Sequence, residues 1–206
     1  MSEEGESQRV REYEVQINTM AEMDQSTLFV DFSHLFAFDR YLATTLQEEY
    51  YRFEPHVRAG LAEVVQELQP EFAQFEGDSR DFFVAFYNLM DKLRVRELRC
   101  AQVGQLVSFS GTVTRTSEVR PELIAGAFRC EDCATLVRNV EQQFKYTTPQ
   151  VCPNAECGNR TKWQLVVERS RFADWQRVRV QENAEEIPAG SMPRSVDVVL
   201  RHAAVE

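Results

Sequence analysis

Four cysteines in one stretch of the chain have the spacing of a metal site. They follow the pattern Cys130-x2-Cys133-x18-Cys152-x4-Cys157, which is two short pairs separated by 18 residues. In a zinc ribbon each pair lies on a tight turn, and a β-excursion brings the turns together. Four thiolates complete a tetrahedral zinc site and leave no position for a catalytic water. The spacing therefore predicts a structural zinc site. A pair of disulfides, a redox-active thiol set and an iron site remain as alternatives.

A second group of residues has the chemistry of a nucleic-acid contact. On the strand predicted for Trp175–Gln181, the two valines point to one side, while Trp175, Arg177 and Arg179 share the other. A flat aromatic face beside two guanidiniums offers stacking for bases and cations for phosphates. The alternative is an exposed strand face with solvated arginines, and residue spacing alone favours that alternative.

Arg115 and Arg120 bracket the end of an earlier predicted strand, Gly104–Thr116. Valine and phenylalanine alternate there with serine and threonine, as in a half-buried strand. The alternation would point Arg115 inward, unless a bend at Gly111 resets it or the strand has already left the barrel. We expect Val119–Pro121 to end this strand. On spacing alone, a solvated strand-end arginine is again the favoured interpretation.

A long loop with two prolines and a glycine runs from Gln181 to Ser195. Loops of this length between barrel strands are often functional, although a solvated turn is the alternative. The sequence has no phosphate-binding glycine loop, no dinucleotide fingerprint and no Ser/His/Asp set. His34 and His56 are expected to be surface or capping residues. By itself the chain is predicted not to hydrolyse ATP.

The elements that position these residues fall into two parts. Residues 1–92 are predicted to form a mainly helical subdomain, with helical apolar spacing over Asp39–Phe53 and a second helix that begins at Pro55. The polar start, through Asp24, is expected to fray or form a short helix. Thr27–Phe32 has the pattern of a short buried strand.

Residues 93–206 change to the period of β-strands. The predicted fold class is α+β: a helical subdomain, then a five-stranded OB-type barrel with an inserted zinc ribbon. The barrel is assigned to residues 93–127 and 164–206, and the ribbon to residues 128–163. Besides Gly104–Thr116, the predicted strands are Trp163–Glu168, Trp175–Gln181 and Val196–Arg201.

Charge is distributed unevenly along the 206 residues, whose formal net charge is −10. Residues 1–92 carry 7 Lys/Arg and 19 Asp/Glu, whereas residues 93–206 carry 16 and 14. The second part can therefore still present a local basic face. Cysteines in metal spacing suit a reducing, intracellular compartment, and Cys100 is expected to be a buried structural thiol. No apolar run approaches a membrane span, and the acidic start is unlike a signal peptide.

In this order, these pieces resemble the N-terminal domain of the minichromosome maintenance (MCM) helicases. Besides the cysteine quartet, the segments that carry the resemblance are Gly111–Leu123, Ser170–Glu182 and Ile187–Arg201, with Thr44–Tyr50 and Asp81–Phe86 more weakly. Within the family, Val140–Thr147 is the most subunit-specific segment and resembles subunit six of the eukaryotic complex.

The resemblance implies a nuclear, ATP-driven replicative DNA helicase built as a six-membered ring of related subunits, with a cytoplasmic pool. ATP and Mg²⁺ would belong only to the full-length parent, because the family continues past this position to a DNA-binding hairpin and an ATPase domain. We therefore interpret the chain as a fragment without the motor. Implied partners are single- and double-stranded DNA, other MCM subunits in a hetero-hexameric ring, and a second ring met through the zinc modules. No membrane partner is implied.

The resemblance also assigns residues. Matched by motif, Arg115 and Arg179 correspond to the family's pair of arginines that bind single-stranded DNA, and Arg177, Arg120 and Trp175 are further candidates. The loop after the last of these strands matches the family's relay between the N-terminal and ATPase tiers; its residues are Gln181, Glu182, Pro188, Gly190, Pro193 and Arg194.

Two other functions remain open. The fragment could be a protein-interaction module, in which the zinc ribbon and the acidic helices dock neighbouring subunits and DNA affinity is small. It could also be a free-standing zinc-ribbon OB protein of repair or transcription.

Overall fold

The structure is a computed structural model that describes residues 3–75, 78–142 and 145–205. Gln143 and Phe144, inside the predicted subunit-specific segment, lie outside the described residues. The chain divides into two compact units. The first comprises the chain up to Arg115 together with Arg179–Asp197, and the second comprises Thr116–Val178 and the chain from Val198 onwards.

Helices occur in the first unit. Asp31 caps the second helix by accepting a hydrogen bond from Ser33 N at 2.8 Å, and Asp39 caps the third through Tyr41 N at 2.8 Å. Their apolar faces, with the strands beside them, form two buried clusters around Val65 and Phe32. The four helices are α1 (Glu3–Glu22), α2 (Phe32–Phe38), α3 (Arg40–Glu48) and α4 (Tyr50–Leu68).

Two helix predictions were wrong. The polar start forms α1, a helix of 20 residues, because its Ile17 and Met20 are buried in one of the clusters. The helix expected to begin at Pro55 begins at Tyr50 instead, with the proline inside it. The Tyr51 N–H donates to Gly104 O at 3.0 Å, so a tertiary contact fixes the turn that precedes the proline.

Strands β1 to β6 of the first unit form three two-stranded sheets. The parallel pair β1–β4 aligns Thr27 with Phe83, which confirms the predicted strand at Thr27 and gives the apolar run after Asp81 its type. The other pairs are β2 with β3 and β5 with β6. The bounds are β1 (Thr27–Asp31), β2 (Gln74–Phe75), β3 (Asp78–Ser79), β4 (Phe83–Tyr87), β5 (Lys92–Arg94) and β6 (Ser108–Ser110).

A six-stranded sheet holds the remaining strands, in the order β10-β8-β11-β12, with β7 paired to β11 and β9 paired to β8. The predicted fold class, helices followed by an OB-type sheet with a four-cysteine cluster, is confirmed. No helix in the described part of the chain is long and apolar enough to cross a membrane. The bounds are β7 (Thr112–Thr116), β8 (Arg120–Cys130), β9 (Leu136–Glu141), β10 (Trp163–Leu165), β11 (Arg171–Gln181) and β12 (Ser195–Arg201).

Three strand predictions need correction. Val119–Pro121 does not end a strand; β8 begins there, and Pro121 lies near its start, where a missing N–H costs least. The strand expected over Trp163–Glu168 stops at Leu165 and gives way to a 3₁₀ turn. Cys100 is not buried, because it lies exposed in a 3₁₀ turn.

The predicted half-buried strand Gly104–Thr116 is interrupted at Gly111. A Cβ at this position would lie 2.5 Å from Val180 Cγ1 and 2.7 Å from Gln181 O, so only glycine allows this close approach of the backbone. The prediction of alternating burial fails beyond the break: all five residues of β7 are exposed, including Val113 at 55%. Arg115 therefore does not point inward.

Candidate functional sites

The four cysteine sulfur atoms converge in the second unit. Cys130 is the last residue of β8, Cys133 follows in a turn, and Cys152 and Cys157 lie between β9 and β10. All four Sγ atoms lie within 4.8 Å of one another, and Cys130–Cys157 and Cys133–Cys152 are each 3.5 Å apart. Four sulfurs at about 2.3 Å from one zinc would be about 3.8 Å apart, so the cluster is compatible with a tetrahedral metal ion.

Each cysteine pair lies on a tight turn, as the spacing predicted. Ala134 N donates to Cys130 O at 2.9 Å, and Ala134 has a φ of 60°, the left-handed conformation that reverses the chain. In the second pair, Cys157 N donates to Asn154 O at 3.0 Å. Cys130 and Cys152 are buried, so the protein itself surrounds the sulfur cluster.

Asn159 supports the cluster from behind and was not identified from the sequence. It is 6% exposed, and its Nδ2 donates to Cys130 Sγ at 3.0 Å. An isolated asparagine near cysteines has no spacing rule, so no sequence signal marks it. Such contacts orient a ligand and disperse the charge of a thiolate.

The thiols titrate unequally because they are crowded. The pKa of Cys133 is lowered to about 6, chiefly by the Thr135 hydroxyl 3.1 Å from its sulfur and then by the Thr135 N–H. A backbone hydrogen bond from Asn159 lowers the pKa of Cys157, but burial and the neighbouring sulfurs outweigh it and raise that pKa to about 12. A bound dication would remove the mutual repulsion of four thiolates.

Strand β11 carries the predicted alternation. Arg177 and Arg179 are exposed, whereas Gln176, Val178 and Val180 between and beside them are buried. Arg179 belongs to the first unit, together with Arg115 on the neighbouring strand β7. The Thr114 hydroxyl, one residue before Arg115, donates to Arg179 O at 3.2 Å.

An acidic residue that sequence reasoning missed lies against Arg179. Asp197 on β12 accepts two hydrogen bonds, from Arg179 Nε to Oδ1 at 2.8 Å and from Nη2 to Oδ2 at 3.2 Å. The pair raises the pKa of the guanidinium, chiefly through the hydrogen bond. Alternation in β12 marks Asp197 as exposed, but its partner depends on the strand register, which the sequence does not state.

The other candidate residues lie in the second unit. Trp175 is half-buried and aligns with Arg120 in the β8–β11 pair. Arg177 N accepts no partner from a ligand, since it donates to Ser117 Oγ at 3.0 Å, which leaves its exposed guanidinium for other contacts. The structure thus brings Arg120 and Trp175 together within this unit, apart from the grouping of Arg115 and Arg179.

Within the predicted relay loop, Glu182 is the buried residue, at 2% exposure. Arg96 donates to both of its carboxylate oxygens, at 2.7 and 2.8 Å, and Arg194 N donates at 3.0 Å. The hydrogen bond from Arg96, stronger than the opposing effect of burial, lowers the pKa of Glu182 to about 2. Arg96 is a functional candidate that sequence reasoning missed.

The rest of the loop is a turn on the surface. Ser191 N donates to Pro188 O at 3.0 Å, and Gly190 has a φ of 77°, which favours glycine. Pro188, Gly190 and Pro193 are exposed, whereas Gln181 at the end of β11 is half-buried. The loop is therefore anchored through Glu182 and open at its tip.

Comparisons with known proteins agree with this architecture. The MCM N-terminal domain matches residues 3–88 and the MCM OB domain matches residues 94–206. The chain is 49% identical over 194 residues to the DNA replication licensing factor MCM6 of Arabidopsis thaliana, covering 94% of this chain and 23% of the relative. It is 44% identical over 207 residues to mcm6 of Schizosaccharomyces pombe, with the same two coverages.

The zygotic DNA replication licensing factor mcm6 of Xenopus tropicalis is similar at 45% identity over 198 residues, again 94% of this chain and 23% of the relative. The chain thus spans about a quarter of the length of the curated relatives it matches. These names agree with the resemblance to subunit six that was noted in the sequence. Because the OB-domain match alone covers more than half of its residues, the chain belongs to the MCM family.

Proposed function

We propose that this chain is the DNA-binding and ring-assembly region of one subunit of the hexameric MCM replicative DNA helicase. The observation that carries the proposal is the exposure of Arg115 and Arg179 on neighbouring strands of one unit. Two guanidiniums on a strand surface can contact successive phosphates of a single strand. Arg177, Arg120 and Trp175 are further contact candidates, and double-stranded DNA is a second partner.

The cysteine cluster has a separate role in this proposal. Zinc held by four thiolates has no open position, so its contribution is rigidity rather than chemistry. The module would contact other MCM subunits or a second ring, whereas the OB-type sheet would contact DNA. The division assigns residues 1–92 to the helical subdomain, 128–163 to the zinc ribbon, and the remainder of 93–206 to the barrel.

Residues Gln181–Arg194 would relay between this region and the ATPase tier of the full-length protein, which would bind ATP and Mg²⁺. The buried pair Arg96–Glu182 supports this part of the proposal, because it gives the loop a fixed base from which its exposed tip can contact another tier. A replication factor of this kind acts in the nucleus, and the names of the relatives support that location.

The decisive experiment measures binding of a fluorescent single-stranded oligonucleotide by anisotropy over a series of salt concentrations. The double variant Arg115→Ala/Arg179→Ala should bind more weakly, and its plot of log K against log salt should be less steep by about 1.4, since each lost phosphate contact removes about 0.7. Arg40→Ala/Arg52→Ala is the matched control, because it removes two exposed arginines from the helices of the same unit.

The competing function is a protein-interaction module with little DNA affinity of its own. The carboxylate that already pairs with Arg179 and the acidic helical part favour it. An unchanged salt dependence in the Arg115/Arg179 double variant would refute the DNA role. In that case, sedimentation with other MCM subunits, with and without the oligonucleotide, would test the module directly.

A further inference from the structure

The pair formed by Arg179 and Asp197 resembles the contact that a phosphate would make. The Nε–Nη2 edge of the guanidinium meets both carboxylate oxygens, at 2.8 and 3.2 Å. This bidentate geometry is the one by which arginine binds phosphate as well as carboxylate. A negatively charged group of the protein thus occupies one edge of a proposed DNA-contact residue.

We propose that Asp197 is an affinity-determining residue that competes with the DNA phosphate for Arg179. The inference rests on the proposed function, since it concerns the same contact site. On binding, the phosphate takes the place of the carboxylate on the guanidinium, and Asp197 turns to solvent. Asp197 thereby keeps single-strand affinity low and readily reversible, as a ring that must move along DNA requires.

Exposure makes this displacement possible. The side chains of Arg179 and Asp197 are 52% and 41% exposed, so water can solvate the carboxylate as soon as it leaves. Exposed pairs of this kind contribute little net stability. The pair Arg96–Glu182 has the same bidentate geometry, but there the carboxylate side chain is fully buried and also accepts from Arg194 N. That pair is built to stay closed, and the Arg179 pair is not.

Arg115 differs from Arg179 in this respect. Among the described residues no ion pair involves Arg115, and every residue of β7 is exposed. The two proposed contact residues are therefore not equivalent: Arg115 is available to a phosphate at once, whereas Arg179 must first release Asp197. The proposal predicts that removal of the Asp197 charge affects binding only through Arg179.

The test compares Asp197→Asn with the wild-type chain in single-stranded oligonucleotide binding over a series of salt concentrations. The affinity should rise about two- to five-fold, because an exposed pair no longer has to be broken. The slope of log K against log salt should become more negative by about 0.7, since binding at Arg179 now gains one full phosphate neutralisation. Asp197→Ser is a second variant, and thermal unfolding checks that each variant is folded.

Glu122→Gln is the matched control. Glu122 forms an equally exposed bidentate pair with Arg201, at 2.6 and 2.9 Å, so the substitution removes the same charge from the same kind of pair. It should leave the salt slope unchanged. In the double variant Asp197→Asn/Arg179→Ala the gain should disappear, because the competition has lost its target.

The outcomes separate the inference from the proposed function. If the wild-type chain binds no single-stranded DNA and neither variant does, the proposed function fails. If the chain binds DNA but Asp197→Asn behaves like Glu122→Gln, the phosphate uses the other edge of the guanidinium and the competition is refuted. Weaker binding by Asp197→Asn would show that the carboxylate positions Arg179 instead, which also overturns the inference.

Discussion

Asn159 and Cys130 are joined by an N–H···S hydrogen bond of 3.0 Å between the side-chain amide and the cysteine sulfur. The same nitrogen donates to Lys162 O at 2.7 Å, and Oδ1 accepts from Thr161 N at 3.1 Å and from Lys162 N at 3.0 Å. The amide therefore ties the turn after Cys157 to the end of β8. Through this one side chain the two halves of the sulfur cluster are held in register.

Replacing Asn159 with alanine should weaken zinc binding about 10- to 100-fold, the usual effect of losing a contact behind a metal ligand. Asn159→Asp should weaken it further, because a carboxylate would replace the donor and add negative charge beside four thiolates. Competition with a chromophoric chelator measures both affinities.

The control for this substitution is Asn154→Ala. Asn154 is exposed and also follows a cysteine of the cluster by two residues, but its side chain only accepts from Glu156 N at 3.2 Å. Its loss should change zinc affinity much less. Equal losses for Asn154→Ala and Asn159→Ala would mean that the turns matter only as turns, and the specific role of the N–H···S bond would be rejected.

The buried carboxylate of Glu182 predicts a pH dependence of stability. Its pKa is about 2 in the folded chain, against an ordinary value of 4.5. As the pH falls, the unfolded chain therefore takes up this proton first. The stabilisation is fully present above the ordinary pKa and is lost as the pH falls towards 2.

Thermal unfolding between pH 6 and pH 3 (about one and a half units on each side of 4.5) checks this expectation. The melting temperature of the wild-type chain should fall more steeply over this range than that of Glu182→Gln, which cannot gain the proton. Arg96→Gln is the partner variant and should be less stable than the wild type at neutral pH, because it leaves a buried charge unpaired. Parallel curves for wild type and Glu182→Gln would disprove the link.

The metal cluster could be predicted from the sequence because its information is local. Short spacings such as Cys130-x2-Cys133 describe a turn that the chain makes by itself, and the structure brings all four sulfurs together. Asn159 escaped notice because an asparagine has no ligand spacing of its own. The sequence states which residues can hold a metal, but not which residues hold the ligands.

Contacts between strands were harder to predict. The alternation in β11 correctly separated Arg177 and Arg179 from the buried positions beside them. Asp197 lies opposite Arg179 only because β12 pairs with β11 in one register, and a shift by one residue would turn it to the other face. The same limit applies to Arg96 and Glu182, which are 86 residues apart in the chain.

Burial in β7 was mispredicted for a different reason. Alternation of apolar and polar residues predicts a buried face only where another layer covers the strand, and nothing in residues 112–116 indicates that the strand is uncovered. Gly111 did mark the change, as the expected interruption. Its cause is the close approach of Val180 and Gln181 O, which involves residues far along the chain.

Replacing Gly111 with alanine should therefore destabilise the protein by about 1–3 kcal/mol, the usual cost of adding a methyl group to a packed position. Two of the atoms that the new Cβ would meet are Val180 Cγ1 at 2.5 Å and Gln181 O at 2.7 Å, and the second belongs to backbone that cannot swing away. Chemical denaturation measures the change in the free energy of unfolding.

Gly60→Ala is the matched control for Gly111→Ala. Gly60 lies inside α4, and its added Cβ would meet nothing within 4 Å. Alanine should stabilise the protein there by about 0.5–1 kcal/mol, because glycine is the poorer helix former. Opposite signs for the two substitutions would support the packing account of Gly111, whereas a neutral Gly111→Ala would show that the strand break tolerates a side chain.

Removal of the metal should affect the two units unequally, and intrinsic probes can follow each one. Both tryptophans, Trp163 and Trp175, lie in the unit that holds the cysteines, while all four described helices lie in the other. A chelator should therefore change tryptophan fluorescence, because Trp163 aligns with Cys130 in the β8–β10 pair, and should leave the helical circular dichroism at about 222 nm largely intact.

Binding of single-stranded DNA should outlast the loss of metal, while contacts with other MCM subunits or a second ring should be lost first. The reason is that Arg115 and Arg179 belong to the unit without the cysteines. Oligonucleotide anisotropy and sedimentation, recorded on the same chelated sample, measure the two activities. Readdition of zinc is the control and should restore the fluorescence. A loss of DNA binding as large as the loss of assembly would refute this division of labour, because it would make the metal a requirement for the arginine surface as well.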